Sequence, residues 1–155
     1  MEAGPRALGN RSILADASRV GMNDYVNDHV KHRDPWRPFC PSLIADAKSK
    51  YFKQIGAEAQ FMIVGYPVLK KKQGKIPAVT HIDGTARPQI VKRESNPKYY
   101  HLIKDLGSLT GEPVVLNTSL NVKGEPMACT PEDALRCFYS SGADALAIGD
   151  FWIEK

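Results

Sequence analysis

The run Pro113-Val114-Val115-Leu116-Asn117 constrains this chain more than any other segment. It is too short for a helix and wholly apolar until it ends in polar residues. That is the pattern of a buried strand whose C-terminal edge faces a ligand. The flanking sequence alternates strand and helix signals around it. Strands are predicted over 12–15, 40–45, 61–68, 145–148 and 151–153, and a short helix over 48–54. A helix is predicted over 18–31, with Ser18 as N-cap and Val20, Met22, Tyr25, Val26 and Val30 near helical spacing. Strands over 79–82 and 87–92 flank Asp83-Gly84, a hairpin-turn pair. Asn96-Pro97 opens a helix with the stripe Tyr100, Ile103, Leu106 and Leu109, ended by Gly111. Thr130-Pro131-Glu132-Asp133 opens another, running to about Tyr139, because it combines an N-cap, a first-turn proline and two acids. The predicted fold class is α/β (α+β): one domain around a mixed sheet flanked by helices, with the strand order left open.

A chain of 155 residues with 43% hydrophobic and 25% charged side chains has the composition of an ordinary folded domain, which excludes disorder and collagen-like repetition. No apolar run approaches the roughly 18 to 20 residues of a membrane helix, and no basic-then-apolar leader opens the chain. Cys40, Cys129 and Cys137 form no CxxC pair and no zinc spacing, so a reducing cytoplasm is the expected location. Residues 1–77 carry 13 basic and 7 acidic side chains, against 8 and 10 in the remainder. A positive first half suits an anionic ligand such as a phosphate or nucleotide, and would also suit RNA.

Three polar clusters carry the chemistry. In Lys31-His32-Arg33-Asp34-Pro35-Trp36-Arg37-Pro38-Phe39, three cations lie within seven residues on a segment stiffened by two prolines. Stiff cations bind phosphate with little loss of ordering entropy, and Trp36 with Phe39 is expected to anchor the segment. His29 and His32 lack a third ligand for a metal site, and Lys70–Lys75 reads as a solvated connector. In the second cluster, residues 81–89, Arg87 follows a turn and either projects into a cleft or pairs across strands. The third, Leu116 to Pro126, sets Asn117, Thr118, Ser119 and Asn121 after the apolar strand. It offers amides, hydroxyls and free N–H groups in one turn, the usual construction of an anion cradle. No Walker or GxGxxG motif occurs, and no nucleophile has a base partner in sequence.

GPRALGNRS (4–12), VKHRDPWRPFCPS (30–42), HIDGTARPQ (81–89), LNTSLNVKGEP (116–126) and TPEDALRCF (130–138) occur in this order. Together they resemble the C-terminal region of the O-carbamoyltransferases that decorate nodulation factors and antibiotics. The resemblance implies a YrdC-like domain over 13–155 that converts carbamoyl phosphate and ATP, with Mg²⁺, to carbamoyl-adenylate. It implies too that a larger N-terminal domain of the actin-like ATPase type, bearing the metal, passes the carbamoyl group to a hydroxyl. Residues 1–12 would be the junction to that partner domain, and the chain reads as a fragment entered partway through a loop. The family's anion-binding cations fall on Lys31, Arg37 and Arg87, and its Ser-Asn turn on Asn117, Ser119 and Asn121. Of these, Lys31, Arg37, Arg87 and Ser119 would be catalytic, whereas Asn117 and Asn121, with Arg6 near the phosphates at the junction, would hold the nucleotide. Ala3 departs from the larger residue expected there. NTSLN is also similar to the turn of free-standing YrdC-like proteins, which make threonylcarbamoyl-adenylate for transfer RNA. An autonomous enzyme of that kind, or an RNA-binding module, are the alternatives. Neither a membrane nor a nucleic-acid partner is expected on the leading reading.

Overall fold

The computed structural model describes residues 7–155. From the N-terminal side it contains β1 (Ser12–Asp16) and α1 (Met22–Tyr25), which runs without a break into a π-helical stretch, Val26–Lys31. β2 (Cys40–Ile44) and α2 (Lys48–Tyr51) come next, then β3 (Tyr66–Pro67), α3 (Lys70–Gln73), β4 (Thr85–Ala86) and β5 (Gln89–Val91). The C-terminal part comprises α4 (Pro97–Thr110), β6 (Val114–Ser119), α5 (Pro131–Tyr139), β7 (Ala145–Ile148) and β8 (Phe151–Glu154). Four strands make the central sheet in the order β1-β6-β2-β5, with the last pair parallel and the others antiparallel. The fold is therefore mixed α/β, as the alternation of signals predicts.

The apolar run lies at the centre of that sheet, where β6 pairs with β1 on one side and β2 on the other. Cross-strand partners share a face. The register therefore puts Ile13, Val114, Leu116, Leu43 and Ile90 on one face, all of them buried. The other face is mostly apolar at one end (Val115, Ile44 and Val91, with Asp16) and mostly polar at the other (Ser12, Ser119, Asn117, Cys40, Ser42 and Gln89, with Leu14). The polar end brings together residues that lie up to 107 positions apart in sequence, from Ser12 to Ser119. α4 packs across β2 and β6 and inserts Tyr99, Tyr100 and Ile103 into the core. A smaller cluster of Ala128, Ala134, Phe138 and Leu146 joins α5 to the β7–β8 hairpin.

The caps follow the sequence closely. Asn96 accepts from Tyr99 N, Gly111 closes α4 in the left-handed region, and Thr130 and Asp133 form a reciprocal capping box. Gly9, at φ 104°, leaves no room for a Cβ beside the Tyr99 ring.

Several local expectations are corrected. The first helix begins at Met22, because the Ser18 amide and hydroxyl both donate to Asp16 Oδ1 in a turn instead of capping it. The strand over 61–68 shrinks to Tyr66–Pro67, and Phe61, Ile63 and Val64 stay exposed, with no strand pairing with them among the described residues. Asp83-Gly84 makes a turn, with Asp83 Oδ1 accepting from Thr85 N and Oγ1. No hairpin follows, since β5 leaves to pair in parallel with β2. Leu109 is exposed at the end of α4, outside its buried stripe. The lysine-rich connector contains a helical turn, where Lys72 reaches Glu112 at 2.8 Å and Tyr51 donates to the same carboxylate.

Candidate functional site

Lys31 stands at the last position of the π-helical stretch and is only 3% exposed. Its Nζ donates to Ser119 O at 2.8 Å, Asn121 O at 2.6 Å and Asn121 Oδ1 at 2.7 Å, with Ser119 Oγ at 3.5 Å. The turn after β6 is braced around it. Ser119 Oγ donates to Asn121 Oδ1 (2.6 Å), Asn121 Nδ2 to Glu125 O (2.7 Å) and Lys123 N to Lys31 O (3.1 Å). No carboxylate is among these partners. Burial foremost, then Arg33, lowers the Lys31 ammonium to about 8, with Cys137 pulling the other way and Arg37 adding to the lowering.

The segment carrying Arg33 and Arg37 is held from beneath by the fully buried Asn27. Its Nδ2 donates to both Pro35 O and Arg37 O at 3.2 Å, while its Oδ1 accepts from Arg33 Nε at 2.7 Å. Arg33 also lies over the buried Phe39 ring, 4.5 Å from its centroid. Burial and then Arg37 bring Arg33 down to about 10, with Cys40 and Asp34 acting the other way. Phe39 anchors the segment as expected. Trp36 does not: it is 77% exposed, because both flanking carbonyls are turned inward to Asn27. Arg37 is exposed, and its guanidinium has no hydrogen bond or ion pair among the described residues.

Arg87 lies two residues before Gln89, next to the N-terminal end of β2. Its Nε and Nη2 both point at Cys40 Sγ, at 3.2 and 3.1 Å. Cys40 pairs directly with Asn117. Asn117 Nδ2 lies within reach of Ser42 Oγ (2.9 Å), Gln89 Oε1 (3.1 Å) and Ala7 O (3.3 Å), and Ser42 Oγ donates to Gln89 Oε1 at 2.6 Å.

The residues singled out from the sequence thus fall into two adjoining groups. Lys31, Ser119 and Asn121 touch, with Arg37 near enough to repel Lys31 electrostatically. Arg87 and Asn117 flank Cys40 on the same end of the sheet. Arg6 lies outside the described residues. Sequence reasoning missed Asn27, Cys40, Ser42 and Gln89 as members of the site. For Cys40 and Ser42 a signal existed, since they alternate with Pro41 and Leu43 and so share a face.

Such an arrangement can hold an anion: Lys31, with Arg33 and Arg37 close enough to lower its pKa, lies against a turn rich in hydroxyls and amides, and Arg87 stands at the same end of the sheet. Among the described residues no three His, Cys, Asp or Glu side chains gather as a metal cage. His29 stacks on Tyr25 at 4.7 Å, and the His32 ring bonds Asp28 O and Ser140 O, so neither is placed as a metal ligand. Among the described residues, no helix is long and apolar enough to cross a membrane.

Comparison with known proteins decides the family. The carbamoyltransferase C-terminus family matches residues 1–155. This chain belongs to it. Nodulation protein NolNO of Sinorhizobium fredii is 40% identical over 156 residues, covering 99% of this chain and 23% of that protein. Nodulation protein NolO of Bradyrhizobium diazoefficiens is 39% identical over 156 residues, covering 99% and 28% respectively. An uncharacterized protein of Methanocaldococcus jannaschii, MJ1058, is 41% identical over 155 residues, covering the whole chain and 25% of that protein. The chain therefore spans about a quarter of the length of these relatives, and matches the C-terminal domain of carbamoyltransferases.

Proposed function

We propose that this domain binds carbamoyl phosphate and ATP and forms carbamoyl-adenylate, which a further domain of a longer enzyme uses to carbamoylate a hydroxyl. The observation that carries the reading is Lys31, a buried cation with no carboxylate partner among the described residues, wrapped by Ser119 and Asn121 and crowded by Arg33 and Arg37. Holding three like charges together costs free energy in the ligand-free chain, and a bound polyanion removes that cost.

The overall conversion brings two anions together. Water takes the phosphoryl group from carbamoyl phosphate, and a carboxylate oxygen of the carbamate left behind attacks the α-phosphorus of ATP. That P–O bond forms as the bond to pyrophosphate breaks. Lys31 and the arginines neutralise the repulsion and align attacker with phosphorus, and the Ser119 turn supplies hydrogen bonds. Mg²⁺ enters with the ATP as part of the substrate. The junction to the further domain is assigned to residues 1–12, the stretch that includes Arg6.

Calorimetric titration of the chain with carbamoyl phosphate and with inorganic phosphate, at pH 7, tests the reading. Heat of binding is expected with both, and Arg37→Ala is expected to weaken binding by about 1.5 to 3 kcal/mol, the range for hydrogen bonds to charged groups. Lys71→Ala, an exposed charge elsewhere, should change affinity less than about twofold. Absence of heat and of any melting shift at millimolar ligand would overturn the assignment.

A further inference from the structure

Residues 34–38 are all exposed, and only Phe39 at the end of that segment enters the core. A stretch that buries so little apolar surface has little of its own to offset the entropy of being ordered. Here a buried amide does the ordering. Asn27 is 0% exposed, and its carbonyl and its side chain are engaged entirely with residues 32–37. Its main-chain carbonyl accepts from His32 N and from Arg33 N, the latter at 3.0 Å. Its Oδ1 accepts from Arg33 Nε, and its Nδ2 donates to both Pro35 O and Arg37 O. Arg37 N closes the turn between them on Asp34 O at 3.3 Å, with Pro35 fixing φ at the second position. The two arginines are left in different states. Arg33 is tied down by Asn27 and by the Phe39 ring, whereas Arg37 has its backbone held and its guanidinium unengaged among the described residues.

We propose that Asn27 is a positioning residue: it pre-organises the 33–37 turn so that Arg37 meets an oxyanion without further ordering of the backbone, and it holds Arg33 as a strut. The proposal rests on the anion-binding reading above and extends it to a residue that touches no ligand. Ordering a loop at the moment of binding subtracts from affinity, so the same contacts made by a loop already ordered bind more tightly. An amide suits this place because it is neutral and two-sided, accepting from Arg33 while donating to two carbonyls. A carboxylate of the same outline would turn an oxygen toward those carbonyls. A leucine would leave the carbonyls and the guanidinium N–H without their partner.

Backbone amide relaxation measured by NMR, together with calorimetric titration with inorganic phosphate, tests the assignment. In the ligand-free wild-type chain the order parameters of the Trp36 and Arg37 amides are expected near 0.85, roughly the value of rigid backbone, and should not rise when phosphate is added. Values below about 0.6 that climb with phosphate would mean that the ligand orders the turn, and would overturn the proposal. That measurement needs no variant and so stands even where Asn27→Leu fails to fold. Asn27→Leu, which is neutral and of similar outline, should lower both order parameters and weaken phosphate binding about tenfold at a temperature where it is folded. In an Arg37→Ala background the same change should alter phosphate affinity by less than about twofold, because the amide acts through Arg37. A merely structural role would weaken binding equally in both backgrounds, or lower the melting temperature while leaving affinity unchanged in both. Either result overturns the role of Asn27. Phosphate binding by a wild-type chain whose turn is mobile leaves the anion site standing and removes only that role. A wild-type chain that binds no phosphate overturns the anion site and the positioning role together.

Discussion

At the scale of single residues, the role proposed for Lys31 ties the domain's stability to anion binding. In the unfolded chain the lysine titrates near 10.5, and in the fold near 8, chiefly because of burial. Between those values the unfolded state binds the extra proton, so stability rises with pH across that window. Below about pH 8 both states are protonated and the full cost is present. The gap corresponds to about 3 kcal/mol. Chemical denaturation of the ligand-free chain at pH 7, 8, 9 and 10 should therefore show wild type gaining stability relative to Lys31→Met as pH rises above 8. A flat difference would mean that the ammonium is not strained. The same titration predicts the opposite trend for ligand. Phosphate affinity should fall as pH rises through about 8, since the cation proposed to hold the anion is then lost.

Among the elements, α5 shows local sequence code at its clearest. Thr130 and Asp133 satisfy each other's backbone donors, with Pro131 at the first helical position. Thr130→Ala removes one side of the box and should cost about 1 kcal/mol, lowering the melting temperature by roughly 2 to 4 °C without altering phosphate binding. Arg11 Nη1 donates to Ala128 O just before this helix, so a larger loss would indicate that the cap also holds that contact. The π-helical stretch is the opposite case. The spacing of Val26 and Val30 announces a helix there but not its π form, and its widened turn ends at Lys31 and hands the chain to His32 in the left-handed region.

For the whole molecule, the central strand decides both stability and site geometry. Leu116 is fully buried beneath the sheet, whereas Asn117, its neighbour, faces the polar end. Leu116→Ala should cost about 2 to 5 kcal/mol by leaving a cavity, read as an unfolding midpoint shifted far more than by Thr118→Ala at the half-buried strand end. By itself the sequence determined what depends on neighbours in the chain: the caps at Asn96, Thr130 and Gly111, the apolar β6 run, the stiff cationic segment and the Ser-Asn turn. Those signals act over a few residues, through backbone donors, proline geometry and side-chain period. Tertiary structure alone decided which faces meet. The strand predicted over 61–68 forms only at Tyr66–Pro67, where β4 pairs with it, and the hairpin predicted at Asp83-Gly84 gave way to parallel pairing with β2. Pairing of β6 with β2 set Asn117 opposite Cys40, and the end of the π stretch carried Lys31 to the Ser119 turn. These contacts join residues about 75 to 90 positions apart. Their free energy comes from burying strands and helices together, a collective quantity that no local stretch of residues encodes.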